Sequence, residues 1–246
     1  MLSIREIRRF LKVYHQTLIA PSVSALIFLS IFTLALGGED RRIHGIPYKD
    51  FAGYGLIIMT IIQNAFANTS SSLIMAKVIG YINDILMPPF DGEELVLAYT
   101  IGAIARGLLV GVILTFALSF IIELRLYSIF HVCFYTLIAC TLLANLGTLS
   151  ALITNNFDQN SAISNYLIMP LSFLSGTFYS VHQLPSWIKT INLLNPFFYI
   201  IDGFRYSLIG VSDGSVYFGM FYLLSLNIIV IILAVKLINS GWKLKP

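Results

Sequence analysis

Residues 126–157, LYSIFHVCFYTLIACTLLANLGTLSALITNNF, run for 32 positions without one Asp, Glu, Lys or Arg. A helix rises 1.5 Å per residue and about 20 apolar residues cross the hydrocarbon of a bilayer, so this stretch can span one with turns to spare. A transmembrane strand would be about 9–11 residues long with strict alternation, which is absent here. Working outward, Val13 to Gly38 and Phe51 to Ala76 are charge-free for 26 residues each, Gln159 to Ile188 for 30 and Gly214 to Val235 for 22. Leu95 to Ile122 adds 28 residues interrupted only by Arg106. The expectation is an all-α integral membrane protein with six transmembrane helices in a single domain, 1–246.

Composition agrees. The chain of 246 residues is 57% hydrophobic and 11% charged, against about 25% charged in soluble domains. A soluble enzyme is excluded on that ground, and the net charge of +3 without a basic tract gives no footprint for nucleic acid. Cys133 and Cys140 lie seven residues apart without metal-binding spacing and read as small apolar residues.

Six crossings put both termini on one side. Placing them in the cytoplasm assigns nine of the 15 Lys and Arg to that side (Arg5, Arg8, Arg9, Lys12, Lys77, Arg106, Lys236, Lys243, Lys245). Arg41, Arg42, Lys49, Arg125, Lys189 and Arg205 fall opposite. The basic N-terminus, which weighs most in orientation, makes the same choice. A cleavable signal peptide is the competing reading of this end, but its apolar core would be about 7–15 residues, shorter than the run from Val13. Within residues 1–14, Ile4, Ile7, Leu11 and Tyr14 follow helical spacing and Arg5, Arg8, Arg9 and Lys12 take the other positions, which describes an amphipathic helix in the interface.

Two connections stand out. Residues 77–94 form the acidic cytoplasmic loop, with Asp84, Asp91, Glu93 and Glu94. Tyr81 to Leu86 can form a short helix that Pro88 and Pro89 must end, before Asp91-Gly92 turns the chain. That is a docking shape, with a solvated loop as the alternative. Farther on, Gln159 to Leu208 is almost wholly apolar yet broken by Pro170, Pro185 and Pro196. Asn195-Pro196 reads as an N-cap followed by proline at the first helical position, and Leu184-Pro185 as a weaker start. Two short helices in the external region 182–213 are expected to dip into the outer leaflet and return. Asp202 and Arg205, at i and i+3, can pair on one face, with an inconsequential surface pair as the alternative. The aromatics Phe178, Tyr179, Trp187, Phe197, Phe198, Tyr199, Phe204 and Tyr206 suggest an interfacial belt.

These residues resemble the ABC-2-type permeases, the membrane subunits of a class of ATP-driven exporters. The match is carried by Pro170-Leu171-Ser172-Phe173-Leu174-Ser175-Gly176-Thr177-Phe178-Tyr179, Leu184-Pro185, Leu193-Leu194-Asn195-Pro196 and Gly203-Phe204-Arg205. It extends across the chain to the YadH-like branch, including the amphipathic start and Ala105-Arg106-Gly107. The resemblance implies a coupling helix at about Gly80 to Asp91, with Tyr81, Asn83, Asp84, Leu86, Pro88 and Asp91 meeting an ABC ATPase subunit. It also implies a signature region that includes Gly176, Pro185, Asn195, Pro196, Asp202 and Arg205. Two ATPase copies and a second permease subunit, expected to be a copy of this chain, complete such an assembly.

The chain lacks its own motor. Lys189-Thr190 has no glycine-rich loop before it, so ATP and Mg belong on the partner and no cofactor is expected here. His15, His44, His131 and His182 form no HExxH, and no GxSxG occurs, leaving neither a catalytic nor a metal cluster. His131 and Asn145 read as polar contacts between helices. Gly107 and Gly111 permit a close helix approach, more readily within the chain than to a partner. Arg106, the intramembrane charge, is a functional candidate unless it snorkels to the interface. With few ionisable groups in the spans, an amphiphilic, glycan- or lipid-linked, or hydrophobic substrate fits better than bare ions. A stand-alone secondary transporter would carry midplane carboxylates, and a scaffold or assembly factor is the remaining alternative.

Overall fold

The computed structural model describes residues 2–37, 41–82 and 91–243, so Asn83, Asp84, Leu86 and Pro88 lie outside the described residues. Helix α1, Leu2–Lys12, buries Glu6 and Phe10. A π-helical turn at His15–Ile19 leads into α2, Ala20–Phe32, whose first turn holds Pro21 where the missing amide costs no hydrogen bond. The Thr17 hydroxyl donates to Phe10 O at 2.8 Å and fixes the angle between α1 and α2. A two-residue turn at His44 and Gly45, both with positive φ, joins β1, Arg42–Ile43, to β2, Ile46–Pro47.

Helix α3, Tyr48–Ile79, is buried almost all round and sits at the centre. It is followed by α4, Gly92–Leu118, and α5, Ile129–Ile153. Four helices are long and apolar enough to cross a membrane: His15–Ala35, Gly92–Leu118, Ile129–Ile153 and Val216–Asn239, the last being α10 below. The central helix has the length but carries Gln63, Asn64, Asn68, Thr69 and Ser70 to Ser72, polar groups that a bundle shields from lipid.

The apolar stretch 159–188 does not form one helix. It begins as α6, Phe157–Ile163, passes through a π-helical turn at Ser164–Ile168 and ends as α7, Met169–Leu174. Gly176, at φ +82°, turns the chain there. The two expected short helices follow as α8, Ser186–Leu194, and α9, Pro196–Ile209, before α10, Val216–Asn239.

Hydrogen bonds tie the helices at both ends. At one end, Lys49 Nζ donates to Ile121 O at 3.1 Å and Glu123 N donates to Asp50 Oδ1 at 3.2 Å. The amides of Tyr127 and Ser128 reach Ser207 O, and His44 Nε2 lies 2.6 Å from Asp213 Oδ1. At the other end, Lys77 Nζ donates to the carbonyls of Ala151, Leu152 and Thr154 at 3.0, 3.2 and 2.6 Å. These are the orphan acceptors at the end of α5, and the ammonium complements the helix dipole. Gly92 N donates to Asn239 Oδ1 at 2.7 Å, joining α4 to α10.

The aromatic belt is corrected. Phe178, Phe197, Phe198, Tyr199 and Phe204 are buried in the main core, while Trp187 is 66% exposed. Close packing of α9 on α5 and α10 claims four of these rings, and Phe178 stacks on Phe32 of α2 with centroids 4.0 Å apart. Gly203 lets α9 approach α5 so closely that an added Cβ would lie 2.1 Å from Cζ of the buried Tyr135. Gly203→Ala is therefore predicted to cost about 1–3 kcal/mol, read as a lower unfolding temperature in detergent; an unchanged temperature would show that the ring moves aside freely.

Candidate functional site

The end that carries the N-terminus is assembled around Glu6, 1% exposed on the inner face of α1. Its carboxylate accepts from Arg9 Nε at 3.1 Å and from Arg5 at 3.4 Å. Another nitrogen of the Arg9 guanidinium donates to Asn68 O at 2.9 Å and Asn68 Oδ1 at 3.1 Å, so α1 is bonded directly to α3. A buried carboxylate is tolerable because two cations surround it. Arg5 also lies 6.0 Å from the ring centroid of Tyr81, at the outer range of a cation–π contact. Arg8, Lys12, Met75 and Tyr81 join these residues around a cleft of about 900 Å³.

The basic face of α1 thus surrounds the point where the chain leaves α3 for the acidic loop. Gly80, at φ +90°, ends α3 with its amide on Ala76 O. Of the expected coupling residues, Tyr81 stands at the start of the loop and Asp91 at its close, immediately before α4.

Arg106 is buried at 8% exposure and stays inside the bundle. Its guanidinium donates to Asn64 Oδ1 at 2.9 Å, and its Nε has no partner among the described residues. Snorkelling is thereby replaced by a contact between α3 and α4. Gly107 and Gly111 serve the same contact: an added Cβ at Gly111 would lie 2.6 Å from Ile61 of α3. Asn64 also borders a cavity of about 370 Å³ between α2, α3 and the 164–173 segment. Ser24, Thr60, Gln63 and Ser164 form its polar stripe, with Phe28, Met59 and Phe173 among its apolar walls.

At the opposite end lies Arg205, 2% exposed. One nitrogen of its guanidinium donates to Gly176 O at 2.9 Å and Thr177 O at 3.3 Å, and its carbon sits 3.6 Å from the centroid of the Phe51 ring. Asn195 Oδ1 accepts from Phe197 N at 3.0 Å, the expected cap, and its amide nitrogen reaches Leu171 O and Ser175 Oγ at 3.1 and 2.8 Å. Gly176, Asn195, Pro196 and Arg205 therefore lock α7 to α9, whereas Pro185 stands at the start of α8.

The expected ion pair between Asp202 and Arg205 is not formed among the described residues. Asp202 instead accepts from Asp213 N at 2.8 Å and Gly214 N at 2.9 Å, because the loop before α10 offers its carboxylate two amides. Sequence reading missed Phe51 and Asp213. The Asp213 carboxylate accepts from Val181 N at 2.7 Å and from Ser180 Oγ, and it meets His44 from 169 residues away, a separation no local pattern reveals.

Among the described residues no group of three His, Cys, Asp or Glu side chains is placed to hold a metal. The architecture is that of a multi-pass helical membrane protein whose buried charges tie helices together. The pattern of the ABC-2 type transporter family matches residues 1–209, and the chain belongs to that family of transport permeases. It is 33% identical over 209 residues to the inner membrane transport permease YadH of Escherichia coli strain K12, an alignment covering 85% of this chain and 82% of that protein. It is also 26% identical over 196 residues to a putative transport permease, ycf38, of Cyanophora paradoxa, covering 77% of this chain and 67% of that one.

Arg205→Gln is predicted to lose the bonds to Gly176 and Thr177 and to destabilise the chain by about 1–3 kcal/mol, with Arg205→Lys in between because a point charge cannot reproduce the planar fork. Unfolding in detergent checks the order; equal stability of all three proteins would contradict it.

Proposed function

We propose that this chain is the membrane subunit of an ATP-driven exporter of the inner membrane. It pairs with a second permease subunit, a copy of itself in the simplest assembly, and is energised by two copies of a separate ABC ATPase that hold the ATP and Mg. Likeness to YadH supports the membrane assignment. Six crossings with both termini in the cytoplasm are inferred. Besides the four apolar helices, α3 joins the same two ends, reaching Ile121 and Glu123 at its start and the end of α5 through Lys77. The 157–174 segment begins beyond Thr154, which Lys77 also reaches, and finishes beside Arg205. The short helices α8 and α9 are read as re-entrant from the outside, with α9 buried in the bundle and α8 leaving Trp187, Ile191 and Leu194 exposed.

The observation that carries this reading is the bonding of α1 to α3 through Arg9 and Asn68, next to the exit into the 83–90 loop. A push delivered to that loop acts on a rigid corner and passes along α3 to the Phe51–Arg205 contact at the far end. ATP binding would close the two ATPases, move the seated loops and rock the two permease halves to open a path outward. The passage beside Gln63, polar but without a charged side chain in its lining, suits an amphiphilic, lipid- or glycan-linked, or hydrophobic substrate, and a second copy would complete its wall.

Co-purification of the chain with its ATPase tests this. Asp84→Ala and Leu86→Ala are expected to leave insertion and expression intact while at least halving substrate-stimulated hydrolysis and export. Normal export by both variants would remove the docking role from the loop.

A further inference from the structure

Apart from the 370 Å³ cavity beside Gln63, a groove of about 680 Å³ opens between α4, α5 and α10, its mouth at the end where Gly92 meets Asn239, within the 300–1,000 Å³ usual for a small-ligand site. Its mouth is charged and its walls are apolar. Glu93, in the first turn of α4, and Lys236, in the last turn of α10, both border the mouth and are exposed. Neither forms an ion pair among the described residues. Leu97, Ile231, Ile232 and Val235 line the walls. On the floor, Asn145 is 0% exposed. Its amide nitrogen donates to Thr141 O at 2.7 Å and reaches Thr100 Oγ1 at 3.5 Å, while its Oδ1 has no partner. A buried amide oxygen left bare costs free energy that an incoming donor relieves.

These features define one kind of occupant. The carboxylate at the mouth suits a cation, the ammonium beside it an anion, the walls an alkyl chain and the floor a hydroxyl. Thr100 lies seven residues beyond Glu93 on α4, about 10 Å deeper at 1.5 Å per residue, within reach of a glycerol hydroxyl behind a short headgroup. We propose that the groove binds a single-chain zwitterionic lysophospholipid with a primary ammonium. The ammonium sits on Glu93, the phosphate on Lys236, the chain along Leu97 and Ile232, and the free glycerol hydroxyl donates to Asn145 Oδ1. A second acyl chain would esterify that hydroxyl and remove the donor. The site shares no residue with the proposed passage, so its occupancy stands or falls apart from export.

Native mass spectrometry of the purified full chain, released from detergent after incubation with lysophosphatidylethanolamine, lysophosphatidylglycerol or diacyl phosphatidylethanolamine, tests the assignment. One lysophosphatidylethanolamine per chain is expected, retained about threefold to fivefold above the other two, with the preference abolished in Glu93→Gln and in Lys236→Gln. Asn145→Leu is expected to lower retention; because Asn145 is in the core, the two exposed positions carry the test if that variant does not fold. Equal retention of the three lipids, as when a second copy covers the groove, or an undiminished preference in the Glu93→Gln/Lys236→Gln double variant, would overturn the proposal.

Discussion

Polar side chains on α3 cannot face lipid, and the arrangement of the neighbouring helices follows from covering them. Asn68 is covered by Arg9 of α1, Asn64 by Arg106 of α4, and the Thr69 hydroxyl donates to Ala144 O of α5 at 2.7 Å. At the end of the helix, Lys77 closes the carbonyls of α5. Each bond exchanges an unsatisfied group in an apolar medium for a defined neighbour, so the polar residues of one helix specify which helices pack on it. Apolar packing alone, non-directional as it is, would leave several arrangements close in free energy.

The same helix connects the two ends of the chain. Its first turns hold Phe51 under the Arg205 guanidinium, and its last turns hold Asn68, Lys77 and the exit to the acidic loop. Arg205 in turn fixes Gly176 and Thr177, where the 157–174 segment stops. On the proposed reading, α3 is the lever between an ATPase contact on one side and the region that gates the outer leaflet on the other. The buried arginines and Glu6 have structural partners that also give the lever stiff attachments.

Much of the fold was legible in the sequence because a bilayer imposes a length on apolar runs. The gap from Leu126 to Phe157 became Ile129–Ile153, and Asn195-Pro196 started a helix through the predicted cap. What failed was tertiary. The stretch 159–188 was divided at Gly176, whose left-handed backbone no hydropathy count detects. Four aromatics of α9 went to the core because that helix found partner surfaces on α5 and α10, Phe178 stacked on Phe32, and Asp202 took the amides of Asp213 and Gly214 from the loop before α10 over its neighbour Arg205. Arg106 looked free to reach the interface until Asn64 stood beside it. Tyr81 and Asp91, expected at an ATPase contact, stand at the two edges of the 83–90 segment, whereas the basic cleft of α1 behind Tyr81 depends on contacts 59 to 76 residues apart in the chain.

Side-specific cysteine labelling in intact membrane vesicles tests the central claim that α3 carries the chain from an outer hairpin to an inner, motor-facing loop. With Cys133 and Cys140 replaced by Ala, single cysteines at Arg8, Asp84 and Asp158 should react only with reagent on the cytoplasmic side, and those at Arg42 and Arg125 only from outside. Labelling of positions 42 and 84 from the same side would mean that α3 does not cross, and the account would be wrong.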